Sequence, residues 1–213
     1  MKLSASAVRL AYSFAAESDI RFWLNGVHVE PHPAGGAQIT GCNGHKILQV
    51  HDRAASDVEA MIINLDKPAR AALKRGRWVV TEFEPKKVAV VNSDLLPIYL
   101  QWTKYQVEGK FPDGKTLLGE RESWVAGLHG VFNVNYIADA TIAAASALGI
   151  GHYDKYAGMS FYSQHAADDT NTPVHAKVLF IVDGKTPAWG MVMGLRGYSP
   201  DPLKIAFPDL KAA

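Results

Sequence analysis

The sequence predicts an α+β protein built from a repeated module of one helix and several antiparallel strands. Three observations predict it. The 213 residues, 48% hydrophobic and 20% charged, suffice for a sizeable packed core. Segments of helical periodicity alternate with short strand-like runs punctuated by Gly, Pro and Asn. That order returns with a period of roughly 65–70 residues, the mark of a stacked structural unit.

The first module opens with a helix over Ser4–Glu17, followed by strand-like runs at Ile20–Glu30, Ala37–Gly41 and Lys46–Val50. Pro31, Pro33, Gly35, Gly36, Asn43 and Gly44 supply the turns between them. The second module starts with a strand at Glu59–Leu65, after which Asp66 offers an N-cap oxygen to a helix over Lys67–Arg75 with Pro68 in its first turn. Gly76 closes that helix, and strands follow at Trp78–Glu84, Lys87–Asn92 and Ile98–Val107. The third module has a strand near Ser123–Leu128, then a helix over Asn135–Leu148 stopped by Gly149 and Gly151. Its strands lie at Met159–Gln164, Val174–Val182 and Trp189–Leu195. Val134, Ile137, Thr141, Ala144 and Leu148 form the stripe expected to be buried under the third helix. One such unit alone leaves its apolar faces exposed, so the modules are expected to pack against one another.

Charge is balanced, with 22 Lys and Arg against 21 Asp and Glu and a net charge of +1. A whole-surface cationic field is thereby excluded, and any nucleic-acid contact must come from a local patch. The single cysteine, Cys42, excludes an internal disulfide framework and a multi-cysteine zinc site, and suits a reducing cytoplasm. No stretch approaches the roughly 20 apolar residues of a membrane span. Arg9 interrupts what would be the apolar core of a secretory signal in Met1–Ala16, so an amphipathic helix is expected there.

Gly109-Lys110-Phe111-Pro112-Asp113-Gly114-Lys115-Thr116 matches the phosphate-loop pattern, and Val178–Val182 followed by Asp183 resembles the strand that ends in a magnesium-binding aspartate. A nucleotide-binding enzyme using Lys115, Thr116 and Asp183 is therefore one alternative. The loop physics demands a strand before it and a helix opening at Lys-Thr, whereas Pro112 removes one N–H from the cradle and Gly119, Gly127 and Gly130 suit a helix poorly. An exposed Pro-Asp-Gly turn is the simpler reading. The eight histidines, with His28, His32, His45 and His51 in the first module, match no ligand spacing, so no metal or cofactor is expected. No Gly-x-Ser-x-Gly elbow occurs. On the second helix, Lys67, Arg70 and Lys74 fall within roughly 60° of arc, and Arg75 and Arg77 extend the cationic end. That face can meet phosphates, or can be a solvated surface complementing the helix dipole.

Arg21-Phe22-Trp23-Leu24-Asn25-Gly26-Val27 and Gly41-Cys42-Asn43-Gly44-His45-Lys46-Ile47 resemble stretches of the middle domain of the bacterial DNA polymerase III beta sliding clamp family. Glu108-Gly109-Lys110-Phe111-Pro112-Asp113 is similar to the passage into its last domain, which reinterprets the apparent phosphate loop. Phe132-Asn133-Val134-Asn135-Tyr136 resembles a late helix start, and Met191-Val192-Met193-Gly194-Leu195-Arg196 resembles the final strand. The family pattern has aspartate where Asn43 stands and proline where Gly194 stands.

The resemblance implies a DNA-clamp-like fold in a shortened chain. Residues 1–112 would be one complete domain of two half-domain modules, about 1–54 and 57–112, and 113–213 a third half-domain module. It implies a non-enzymatic processivity factor that contacts duplex DNA without reading sequence, through Arg9, Lys67, Arg70, Lys74, Arg75 and Arg77. It also implies a cleft for peptides of a polymerase or clamp loader, one wall formed by Gly44, His45, Lys46 and Ile47 and the other by Met191, Val192, Met193, Leu195 and Arg196. The third helix carries no Lys or Arg between Asn135 and Leu148. A lone half domain exposes a strand edge, so a homo-oligomer is expected. A decoy or adaptor that keeps the cleft without encircling DNA is a further alternative.

Overall fold

The first strand of the chain lies in a sheet built by much later residues. In the computed structural model, which describes residues 1–82, 87–91, 97–102, 107, 109–118, 124–126, 132–148, 160–164, 177–182 and 187–193, β1 (Lys2–Ser4) runs antiparallel to β6 (Trp78–Glu82). Strands β7 (Lys87–Val91) and β8 (Pro97–Trp102) complete that four-stranded sheet in the order β1-β6-β7-β8. The other sheet has eight strands. Its first half is β5 (Met61–Ile63), β2 (Val27–Pro31), β3 (Ala37–Cys42) and β4 (Lys46–Asp52), in that order. It continues through β12 (Ala188–Met193), β11 (Lys177–Val182), β10 (Ser160–Gln164) and β9 (Trp124–Ala126).

The leading strands of the first two modules are thus exchanged: β1 sits in the second module's sheet, and β5 pairs with β2 of the first. In the third module the leading strand β9 instead returns to β10 of its own sheet. The first and third modules meet at the antiparallel β4–β12 seam, where Ala188 stands opposite Val50 and Val192 opposite Lys46.

Helices α1 (Ala5–Tyr12), α2 (Lys67–Ala72) and α4 (Val134–Leu148) pack against the sheets. Their apolar faces share one core with the inward residues of both sheets. The pleat sends successive side chains to opposite faces. On β4, Leu48 and Val50 enter this core while Ile47 joins a second apolar cluster on the outer face; on β12, Ala188 and Val192 point in, Trp189 and Met191 out. The inner core centres on Phe14 and Phe180, both fully buried, with ring centroids 5.9 Å apart. Two glycines permit this packing. A Cβ on Gly41 would collide with the Ala11 carbonyl, and one on Gly190 with the Phe180 ring.

The helix starts are held differently. Asp66 Oδ1 accepts from Ala69 N–H at 2.9 Å, with Pro68 in the first turn, as the sequence predicts. At α1 the carboxylate of Asp52, at the end of β4, accepts from Ser4 N–H at 2.6 Å and from the Ser4 hydroxyl at 2.7 Å. Tyr12 donates to the Ile63 carbonyl and accepts from Leu65 N–H, both at 2.6 Å, binding α1 to the β5–α2 connection.

Some expected elements differ. The run from Ile20 is not a strand throughout: Phe22–Asn25 forms a 3₁₀ turn, Ile20 is 96% exposed, and β2 starts at Val27. Asp19 accepts from Arg21 N–H, and Asn25 Oδ1 accepts from Asp19 N–H, so these side chains satisfy local backbone groups that a strand would pair elsewhere. Helix α1 stops at Tyr12, short of Glu17. On α4, Val134 is 75% exposed and Thr141 is exposed, its hydroxyl bonded back to the Ile137 carbonyl. The buried stripe is Ala140, Ala143 and Ala144 beside Ile137, small residues that allow close approach to the sheet.

Candidate partner cleft and cationic helix face

On the outer face of the β4–β12 seam, Ile47, Met191 and Met193 meet Cys42, the Gly44–His45 turn and Leu117 around a cavity of about 100 Å³. Leu117 belongs to the short helix α3 (Gly114–Leu118) that lies over the seam. The turn is built by Asn43, whose side-chain oxygen accepts from the N–H groups of His45 at 3.0 Å and Lys46 at 2.9 Å. Gly44 has φ +88°, and a Cβ there would stand 2.7 Å from the Arg21 guanidinium. Arg21 is itself clamped by Asp19 at 2.7 Å, which holds that carboxyl down to a pKa of about 2. Cys42 Sγ accepts from Gly44 N–H at 3.3 Å, and burial pushes its thiol pKa up, so the sulfur is an apolar wall rather than a nucleophile. Met193 N–H donates to the His45 carbonyl at 2.9 Å, joining the two walls.

The structure gathers Gly44, His45, Ile47, Met191 and Met193 at this cavity. Two residues expected in its walls are directed elsewhere, because the pleat alternates. Lys46 contributes at the cleft without its ammonium, which crosses to the helix side, donates to the Ser13 carbonyl at 2.8 Å and to Asp139, and lies 4.6 Å from the Phe14 ring centroid. Val192 is fully buried in the inner core. Leu195 and Arg196 lie outside the described residues. Sequence reasoning missed Cys42 and Leu117 as lining residues. Period-two alternation along β3, where Ala37 and Ile39 point in and Cys42 therefore points out, and the apolar pair Leu117-Leu118 after a capped turn, were the available signals.

Among the cations, Arg9, Lys67, Lys74, Arg75 and Arg77 are exposed and Arg70 is half-buried. The Arg70 guanidinium lies 5.6 Å from the Tyr12 ring, so α1 and α2 are neighbours and Arg9 shares their side of the molecule. Burial pushes the Tyr12 hydroxyl well above the usual phenol range. Arg77 stands 5.6 Å from the Trp78 ring, which also carries Lys2 Nζ at 4.1 Å. Helix α4 has no cation and exposes Val134 and Ile142.

The phosphate-loop match folds as a capped turn. Asp113 accepts from Lys115 N–H at 2.9 Å and from the Thr116 hydroxyl at 2.7 Å, and these bonds, the hydroxyl's foremost, lower its pKa. The donors a phosphate would need are taken by a carboxylate, and every pairing between described strands is antiparallel. Asp183 lies outside the described residues. Among the described residues no three His, Cys, Asp or Glu side chains are placed to hold a metal. Nor is any described helix long and apolar enough to cross a membrane.

No family model and no curated protein matches the sequence. Solved structures do match the fold. A DNA polymerase sliding clamp from Pseudomonas aeruginosa superposes with a TM-score of 0.58 at 15% identity, covering 92% of this chain and 66% of that one. The corresponding clamp from Caulobacter crescentus gives 0.56 at 14% identity, covering 92% and 65%. The DNA polymerase III beta subunit from Thermotoga maritima gives 0.55 at 9% identity, covering 98% and 67%. The chain therefore has the mixed helix and antiparallel-sheet fold of bacterial sliding clamps and spans about two thirds of their length.

Proposed function

We propose that the protein is a clamp-like DNA polymerase processivity factor that acts without covalent chemistry. In this reading residues 1–112 form one complete clamp-like domain, 113–213 a half domain, and copies of the chain associate in the cytoplasm around duplex DNA. Arg9, Lys67, Arg70 and Lys74, with Arg75 and Arg77, face phosphates; the cleft at the β4–β12 seam takes an apolar peptide of a polymerase or clamp loader. Methionines suit such an adaptable groove.

One observation carries the reading: in a clamp fold, exposed cations stand on the helix side while an apolar cavity opens on the opposite face of the same structure. Phosphate contacts of this kind are sequence-independent and salt-sensitive, which permits sliding.

The test is duplex binding by the full chain over a salt series. Lys67→Glu with Lys74→Glu, both exposed and remote from the core, is expected to weaken binding at least about tenfold and to flatten the slope of log K against log salt by roughly 2. Affinity unchanged by the double substitution overturns DNA contact through α2. It leaves the adaptor reading, in which only the cleft is used.

A further inference from the structure

A second and larger cavity, about 510 Å³, opens on the outer face on the other side of α3 from the cleft. Leu117 lines the cleft and Leu118 this cavity; along β4 and β12 the lining passes from Ile47 to Gln49 and from Met191 to Trp189. Its size falls within the range of roughly 300–1,000 Å³ usual for small-molecule sites.

The lining chemistry is selective. Among the described residues it contains no Lys, Arg, Asp or Glu. Its polar groups are Gln49, Gln38, His32 and His51, and its walls include Trp189, Leu118 and the 41% exposed Ile181. Gln38 is engaged, donating to Glu30 at 2.5 Å. Gln49 is only 6% exposed, and its carboxamide lines the cavity without being sealed from solvent, so a ligand with a matching edge can pair with it.

The two imidazoles stack at 3.6 Å between centroids with planes 20° apart. Ala34 N–H donates to His32 Nδ1 at 3.1 Å, so the His32 proton sits on Nε2; the Gly35 carbonyl accepts from His51 Nε2 at 2.9 Å, leaving His51 Nδ1 as an acceptor. Burial first, then His51 and Lys115, keeps His32 uncharged to lower pH, with Glu30 opposing. Gly114 packs closely against this wall: a Cβ there would lie 2.5 Å from Gln49 Nε2 and 3.1 Å from the Trp189 ring.

We propose that this cavity is a binding site for a neutral, planar heterocycle of nucleobase type, with its flat face against Trp189 or the His32–His51 stack and a donor–acceptor edge paired to the Gln49 carboxamide. A carboxamide presents one donor and one acceptor side by side, the complement of such an edge, and aromatic side chains provide its stacking surface. The described lining carries no charged side chain, which favours the base over its phosphate. The site does not depend on the clamp reading. The same chemistry is offered by a free nucleoside and by an unpaired base in a strand.

The test titrates the full-length protein with adenosine and with thymidine, followed by ligand-observed NMR and calorimetry, and repeats it at high salt with single-stranded adenine and thymine hexamers. Saturable binding of at least one nucleoside or hexamer is expected, weakened about tenfold or more by Gln49→Leu. Gly114→Ala, whose methyl crowds Gln49 and Trp189, is expected to weaken it as well, and circular dichroism of both variants verifies their folding. A nucleoside that binds as tightly as its hexamer assigns the free compound as ligand; a tighter hexamer assigns the strand. Absence of saturable binding by all four probes, or binding indifferent to both substitutions in folded protein, overturns the proposal.

Discussion

Lys46 Nζ stands 2.5 Å from Asp139 Oδ2, and this ion pair fastens β4 of the first module to α4 of the third. The lysine is 7% exposed and the aspartate 38%. The ammonium also donates to the Ser13 carbonyl and lies against the Phe14 and Tyr136 rings, while His45 next to it stacks on Tyr136 at 6.2 Å. The turn that forms one end of the outer cleft is thereby braced from the opposite side of the sheet.

The asymmetry of burial sets an order for two substitutions. Asp139→Ala strands a buried cation with one carbonyl and two ring faces, and is expected to cost about 1–3 kcal/mol. Lys46→Met leaves a carboxylate that water can reach and refills the lysine's space, so its cost is expected to be smaller. Urea unfolding of both variants measures the order, and equal or reversed costs contradict this account.

Gly41 and Gly190 are both crowded by a backbone carbonyl, but to different depths. At Gly190 a Cβ would meet the buried Phe180 ring and stand 2.7 Å from the Ile47 carbonyl; at Gly41 it would run into the Ala11 carbonyl, which can move only with α1, and overlap it more deeply. Gly190→Ala is expected to destabilise by about 1–3 kcal/mol, with Gly41→Ala the more damaging of the two. Thermal unfolding compares them directly.

Asp52 is 4% exposed and accepts from Ser4 N–H, the Ser4 hydroxyl and Ala54 N–H. Asp52→Ala removes all three bonds and the anchor of the α1 start, for an expected loss of about 1–3 kcal/mol. Amide exchange should accelerate first in the opening turn of α1. A uniform acceleration would show that the carboxylate is not a local clamp.

His28 on β2 stacks on Phe111 with ring centroids 5.4 Å apart, and burial lowers its pKa below the ordinary 6.5 against a weaker opposing pull from Glu30. The unfolded chain therefore binds the proton more readily than the folded one. The stabilisation is present above 6.5 and is lost as pH falls through that value toward the lower folded one. Unfolding free energy is expected to drop between about pH 7.5 and about pH 5. His28→Phe, which retains a ring against Phe111, is expected to flatten that slope; an unchanged slope assigns the dependence to other groups.

Local chemistry was the most legible part of the sequence. Asp66 and Pro68 mark the start of α2, and the alternation in Ala37–Cys42 and Lys46–Asp52 marks two strands, because each signal is set by neighbouring residues. Ile20–Leu24 misled because an apolar run carries no sign of the bonds by which Asp19 and Asn25 turn the backbone. The exchange of β1 and β5 was invisible: each is three residues long, and its sheet partner is chosen by the tertiary fold. The cleft was legible as two contiguous segments but not as side chains. Lys46 and Val192 belong to those segments, and the pleat sends both toward the helices.

The crossed placement of β1 and β5 means that neither half of residues 1–112 is a finished object by itself. Each lends the other a strand, so severing the chain between them would yield two fragments with open sheet edges rather than two small domains. Such reciprocal lending also makes the closing contacts distant in sequence, which ties the pace of folding to a late, joint step. The third module, with β9 laid along its own β10, has no such debt.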